Sequence, residues 1–181
     1  MKRQAGRPHR RVISVRRKPG SDSRVIVSWA GAAFVGAMGR SGMTVFKREG
    51  DGATPIGELA LLSGYFRRDR LPRPRTAVPL APIRRDAGWC DAPRHPAYNR
   101  PVRLPFAASH EEMARSDHLY DMVMVLDWNM RSRSRGRGSA IFLHLARPGF
   151  QPTEGCVALT PKAMRRLLAF AGKGAVLKVM R

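Results

Sequence analysis

A histidine, His144, sits near the end of the apolar run Ile141-Phe142-Leu143-His144-Leu145, and a cysteine, Cys156, follows a glycine in Thr153-Glu154-Gly155-Cys156-Val157-Ala158-Leu159. A free thiol has a pKa of about 8.5, so at neutral pH it is mostly protonated and needs a base or cation beside it to attack a carbonyl. An imidazole is suited to take that proton near neutrality. Glycine before the cysteine leaves the approach open and frees backbone N–H groups to face a developing oxyanion. The two residues therefore fit acyl transfer by a Cys–His couple, provided that residues 145–155 fold back and bring them together. Each also has a plain packing reading, since a free cysteine behaves as a small hydrophobe and a histidine in an apolar run can be a core residue. Metal chemistry is not expected: His9, His95, His110 and His118 are scattered, and the chain has no Cys-x-x-Cys.

A second motif lies upstream. Gly39-Arg40-Ser41-Gly42-Met43 precedes Lys47-Arg48-Glu49-Gly50-Asp51-Gly52-Ala53-Thr54-Pro55-Ile56-Gly57. A Thr-Pro-x-Gly segment followed, about a domain's length later, by a histidine and then Thr-x-Gly-Cys resembles the L,D-transpeptidase catalytic domain (YkuD-type) family, over roughly residues 24–181. The resemblance implies a mainly β fold, a YkuD-type β-sheet sandwich with one or two short helices and a long Pro-rich loop. It implies Cys156 as nucleophile, His144 as general base and acid, and the Leu145 carbonyl as the group that orients the imidazole. Backbone N–H groups around Gly155 and Cys156 are expected to form the oxyanion hole; Thr153 is expected either to orient the turn through its hydroxyl or to meet substrate, and Glu154, Arg147 and Arg40 to meet substrate.

The substrate so implied is a peptidoglycan stem tetrapeptide. The thiol attacks the carbonyl of its third residue, expels the terminal D-alanine, and forms a thioester that an amine resolves into a cross-link. Carbapenems acylate the cysteine of this family. No cofactor is implied. The chain departs from the family pattern in having Glu154 where many members carry a second histidine, and Ala158 where Asn or Arg is common. Its His–Cys spacing is also short. If Ala158 removes a polar contact, Arg147, Arg40 or Lys47 is expected to replace it.

At 181 residues the chain fits one domain with a sizeable core. Its two cysteines, Cys90 and Cys156, cannot form a disulfide framework, and a nucleophilic Cys156 has to stay reduced. The 34 Lys+Arg against 13 Asp+Glu point to a polyanionic partner or to a solvated basic surface. Residues 1–20 are expected to be a basic, disordered arm, with the catalytic domain over 21–181 and electrostatic contact to anionic wall or membrane surfaces. No helix-turn-helix, RRM or zinc-finger pattern supports specific nucleic-acid binding. The apolar run at residues 25–38 follows basic residues as in a signal peptide, but its glycines suit two strands joined at Ala30-Gly31. The compartment is therefore left open between the periplasm or envelope and the cytoplasm, and no feature speaks to oligomeric state.

Strands are expected at residues 12–15, 25–29, 33–38, 57–66, 121–126, 140–145 and 175–180, with a further short segment from Cys156. Prolines crowd residues 67–105, which predicts a long fixed-path loop anchored by Trp89 and Tyr98. Ser109-x-x-Glu112 reads as a capping box opening a short helix to residue 116, and Thr160-Pro161 as the start of a helix stopped by Gly172. Three functions remain in play: the transpeptidase, an L,D-carboxypeptidase on the same scaffold with water as acceptor, and a non-catalytic polyanion-binding protein, which would have no need of Cys156.

Overall fold

The computed structural model describes residues 10–181. Alternating apolar residues build the centre of the main sheet. In β1 (Val12–Arg17) and β2 (Arg24–Trp29), Ile13, Val15, Val25 and Val27 point inward and are wholly buried. The two-residue turn Ala30-Gly31 has positive φ at both positions, which matches the right-handed twist of the strands it joins. It returns the chain into β3 (Ala32–Ala37), paired with β2 from Trp29↔Ala32 to Arg24↔Ala37. The apolar run is thus a hairpin, as its glycines suggest. Among the described residues no helix is long and apolar enough to cross a membrane.

The arm expected at residues 1–20 is corrected by β1. Residues 1–9 lie outside the described residues, but Val12–Arg17 sits inside the sheet, antiparallel to β2 and parallel to the last strand, β14 (Val176–Met180). Burial of Ile13 and Val15 outweighs the basic residues on the strand's outward face. Deleting residues 2–18 is therefore expected to abolish the cooperative thermal transition seen by circular dichroism. Deleting residues 2–9 leaves every described strand intact and should keep that transition.

Two-residue strands β4 (Met43–Thr44) and β5 (Thr54–Pro55) pair in parallel and close residues 43–55 into a loop, which the Gly39↔Thr153 bridge ties to the domain. The long strand β6 (Gly57–Phe66) follows. Its first half pairs with β14, and its second half with β11 (Met122–Leu126) on one side and β7 (Leu80–Pro82) on the other. Because β11 also pairs with β12 (Phe142–Leu145), the sheet returns to its own first strand. The order is β11-β12-β13-β3-β2-β1-β14-β6-β7, where β13 is Val157–Leu159. The fold is mainly β and sandwich-like, with its core between the facing halves of this sheet.

Residues 67–105 are not a loop throughout. Besides β7 they contain β8 (Ala87–Cys90) and β9 (Arg100–Arg103), and β8 is the middle of a small sheet between β9 and β10 (His110–Glu112). The prolines fall where the ladder loses little: Pro82 ends β7, and Pro101 lies in the edge strand β9. The expected anchors are buried, with Trp89 Nε1 donating to Asn99 Oδ1 at 3.0 Å. The capping-box helix is also corrected, because His110, Glu111 and Glu112 pair with Cys90, Trp89 and Gly88. Cross-strand pairing to the buried Trp89-Cys90 pair wins over the local capping signal. Among the described residues the single α-helix, α1 (Pro161–Phe170), begins as the sequence indicates, with Thr160 Oγ1 accepting from Ala163 N. Its buried stripe is Ala163, Met164, Leu167 and Leu168.

Candidate active site

Parallel pairing of β12 and β13 assembles the site. Leu143, His144 and Leu145 stand opposite Val157, Ala158 and Leu159. Neighbouring strands lie about 4.8 Å apart, and side chains two residues apart share a face. His144 is therefore placed on the same face as Ala158 and, one step along, Cys156. Residues 146–156 make the crossover, which includes a 3₁₀ turn at Pro148–Phe150. The His144 and Cys156 side chains are both buried and line one cavity of about 280 Å³, together with Lys47, Glu111, Tyr120 and Arg147.

His144 Nδ1 lies 2.8 Å from the carbonyl oxygen of Leu145. A carbonyl can only accept, so Nδ1 carries the proton and Nε2 is left as the basic nitrogen. Burial, together with the nearby Arg115 and Arg147 guanidiniums, holds the imidazole at a pKa of about 4, against a partly offsetting hydrogen bond to Leu145. Tyr120 packs edge-on against the ring at 5.4 Å. Cys156 Sγ donates to Ala140 O and accepts from Phe142 N, both at 3.3 Å. Burial pushes this thiol up to about 12; the Phe142 N–H and Lys47 act downward and Glu111 upward. The resting pair is thus a thiol and a neutral imidazole.

The turn before the cysteine is built by Thr153. Its hydroxyl donates to Cys156 O at 2.6 Å and accepts from Gly155 N at 3.2 Å, while its backbone bonds to Met38 O and Arg40 N tie the turn to the end of β3. The hydroxyl proton is therefore spent inside the turn, the first of the two roles expected for Thr153, which also lines the cavity. Gly155 departs from the expected oxyanion role, because its N–H is taken by Thr153. Its requirement is conformational: φ is +131°, and a Cβ there would lie 2.8 Å from Ala53 O. Gly155→Ala should therefore cost about 1–3 kcal/mol of stability and displace Cys156. Paired denaturant melts and turnover assays check this.

Glu154 and Arg40 form an exposed ion pair, with Arg40 Nε 2.9 and 3.0 Å from the two carboxylate oxygens. Glu154 lines the cavity rim, but its charge is met by Arg40. Arg147 is exposed and lines the cavity. The carboxylate that acts on the cysteine is instead Glu111, which accepts from the Tyr120 hydroxyl at 3.1 Å and lies 3.6 Å from Arg115. Burial raises the pKa of Glu111. Asp91 also lines the cavity, and its Oδ1 is buried without a hydrogen-bond partner. Glu111, Tyr120, Arg115 and Asp91 carry no motif-level signal: Glu111 lies in β10, Asp91 directly follows β8, and Arg115 and Tyr120 lie in the connection from β10 to β11.

The L,D-transpeptidase catalytic domain (YkuD) family matches residues 20–179. The chain belongs to this family. No curated protein and no solved structure gave a match. YkuD domains are typically enzymatic and imply peptidoglycan as the general substrate. In this YkuD domain, the matched segment covers both the Thr54-Pro55 and the His144…Cys156 motifs.

Proposed function

We propose that the protein is a cysteine-dependent L,D-transpeptidase acting on peptidoglycan stem tetrapeptides through a thioester acyl-enzyme. The observation that supports this most directly is the placement of His144 and Cys156 on one face of adjacent parallel strands, lining one cavity. The Nδ1 contact to Leu145 O leaves Nε2 as the acceptor for a proton. As Cys156 Sγ attacks the third-residue carbonyl, its proton leaves Ala140 O and passes to His144 Nε2. The C–N bond to the terminal D-alanine breaks, and the imidazolium returns that proton to the departing amine. An acceptor amine then attacks the thioester carbon, His144 takes the amine's proton, and the sulfur leaves to be reprotonated.

Oxyanion stabilisation is assigned to the Cys156 N–H, because the Gly155 N–H is engaged by Thr153. Arg147 at the exposed side and Asp91 Oδ1 at the buried side offer polar contacts to the stem. The test is incubation with a disaccharide tetrapeptide, with and without an amine acceptor, followed by mass spectrometry. Release of D-alanine with incorporation of the amine supports the proposal. Release with water alone as acceptor makes the protein an L,D-carboxypeptidase, and no release in either arm removes the proposal.

A further inference from the structure

Lys47 is buried, at 3% exposure, beside a thiol that must become negative. Its side chain is threaded between two glycines. A Cβ on Gly138 would lie 3.0 Å from Lys47 Cγ, and one on Gly155 would lie 3.4 Å from Lys47 Nζ. Both glycines have positive φ, so the backbone on either side is shaped around the lysine. The ammonium donates to Arg48 O at 3.0 Å and to Asp51 Oδ1. Asp51 is itself fixed by accepting from Arg48 N at 2.7 Å and Ala53 N at 2.9 Å. An ammonium has three N–H donors, and two are spent here. Lys47 lines the same cavity as Cys156 and His144.

We infer that Lys47 is a fixed positive charge that stabilises the ionised form of Cys156 and so tunes its nucleophilicity. The inference rests on the proposed role of Cys156. Holding a cation in a buried site requires a counter-charge, and Asp51 supplies it. That carboxylate sits in its own turn, and the turn bearing the thiol also approaches the ammonium, at Gly155. The remaining charged and titratable groups at the cavity are His144 and Tyr120, the carboxylates Glu49, Asp91, Glu111 and Glu154, and the guanidiniums Arg115 and Arg147. Of these, Glu111 opposes ionisation of the thiol, as Lys47 favours it. The lysine acts through the cysteine and is a positioning residue, not a catalytic one.

The experiment is alkylation of Cys156 by iodoacetamide in the full-length protein across pH, with the modified peptide read by mass spectrometry so that Cys90 is scored separately. No substrate is needed, so the outcome is independent of whether stem peptides are turned over. Lys47→Met should move the rate–pH curve up by about one unit and slow alkylation roughly tenfold at pH 8, with Lys47→Arg close to the native curve. Asp51→Asn can keep its turn through the amide oxygen while losing the counter-charge that keeps the buried lysine protonated, and should move the curve up, in the same direction as Lys47→Met. A folded Lys47→Met protein with an unshifted curve overturns the inference. If that variant does not fold, an Asp51→Asn curve that stays in place or falls overturns it instead.

Discussion

Cys156→Ala is expected to abolish both turnover of a stem tetrapeptide and the covalent carbapenem adduct, with the fold unchanged. Alanine keeps the small apolar volume of the site, which lies in a cluster with Trp89, Tyr120, Val123, Val125 and Phe142. It removes only the sulfur that contacts Ala140 O and Phe142 N. Intact-mass spectrometry after carbapenem exposure gives the answer without a turnover assay. An adduct that survives in the alanine variant, or one lost on Cys90→Ala, would place the nucleophile elsewhere. Cys90 is fully buried in β8 and lies outside the cavity lining, so its replacement should leave the adduct intact.

His144→Ala should slow acylation roughly 10²–10⁴-fold, the range for a positioned general base. The pH dependence carries the sharper signature. The imidazole is held near 4, so it is neutral and competent from about pH 5 upward, and activity falls as acid protonates Nε2. That acid limb should disappear in the alanine variant. The thiol is held near 12, so the native enzyme should show no plateau from a preformed thiolate at neutral pH. Rates within a few-fold of the native enzyme would make His144 a core residue, as its apolar surroundings allow.

The strands that carry chemistry are legible because their signals are local. Apolar runs mark β2 and β12, the Ala30-Gly31 turn marks the first hairpin, and Thr160-Pro161 marks α1. Misreadings arise where a distant partner decides the outcome. Ser109-x-x-Glu112 has helix-start chemistry, yet Trp89 and Cys90 draw it into a strand. The strand at residues 12–15 is legible, but the basic residues around it suggest a free arm, and its membership of the sheet depends on the distant β14. The site divides the same way. His144 and Cys156 stand in motifs, whereas Glu111 reaches the cavity on the small sheet and Tyr120 on the turn before β11, neither of which any periodicity announces. Lys47 lies in a visible motif, but its burial against Gly138 and Gly155 is a fact of packing alone.

The parallel pairing of β1 with β14 bears on how the chain is made. On the ribosome β1 is made long before its neighbour on one side, Val176–Met180. Until those residues leave the exit tunnel, β1 and the first half of β6 present unpaired backbone edges. Such edges recruit other strands, so the interval between the synthesis of β1 and that of β14 is when this sheet is most exposed to mispairing. Stalling translation just before residue 176 should trap a species that is protease-sensitive along its whole length, because closure of the sheet waits for the final strand.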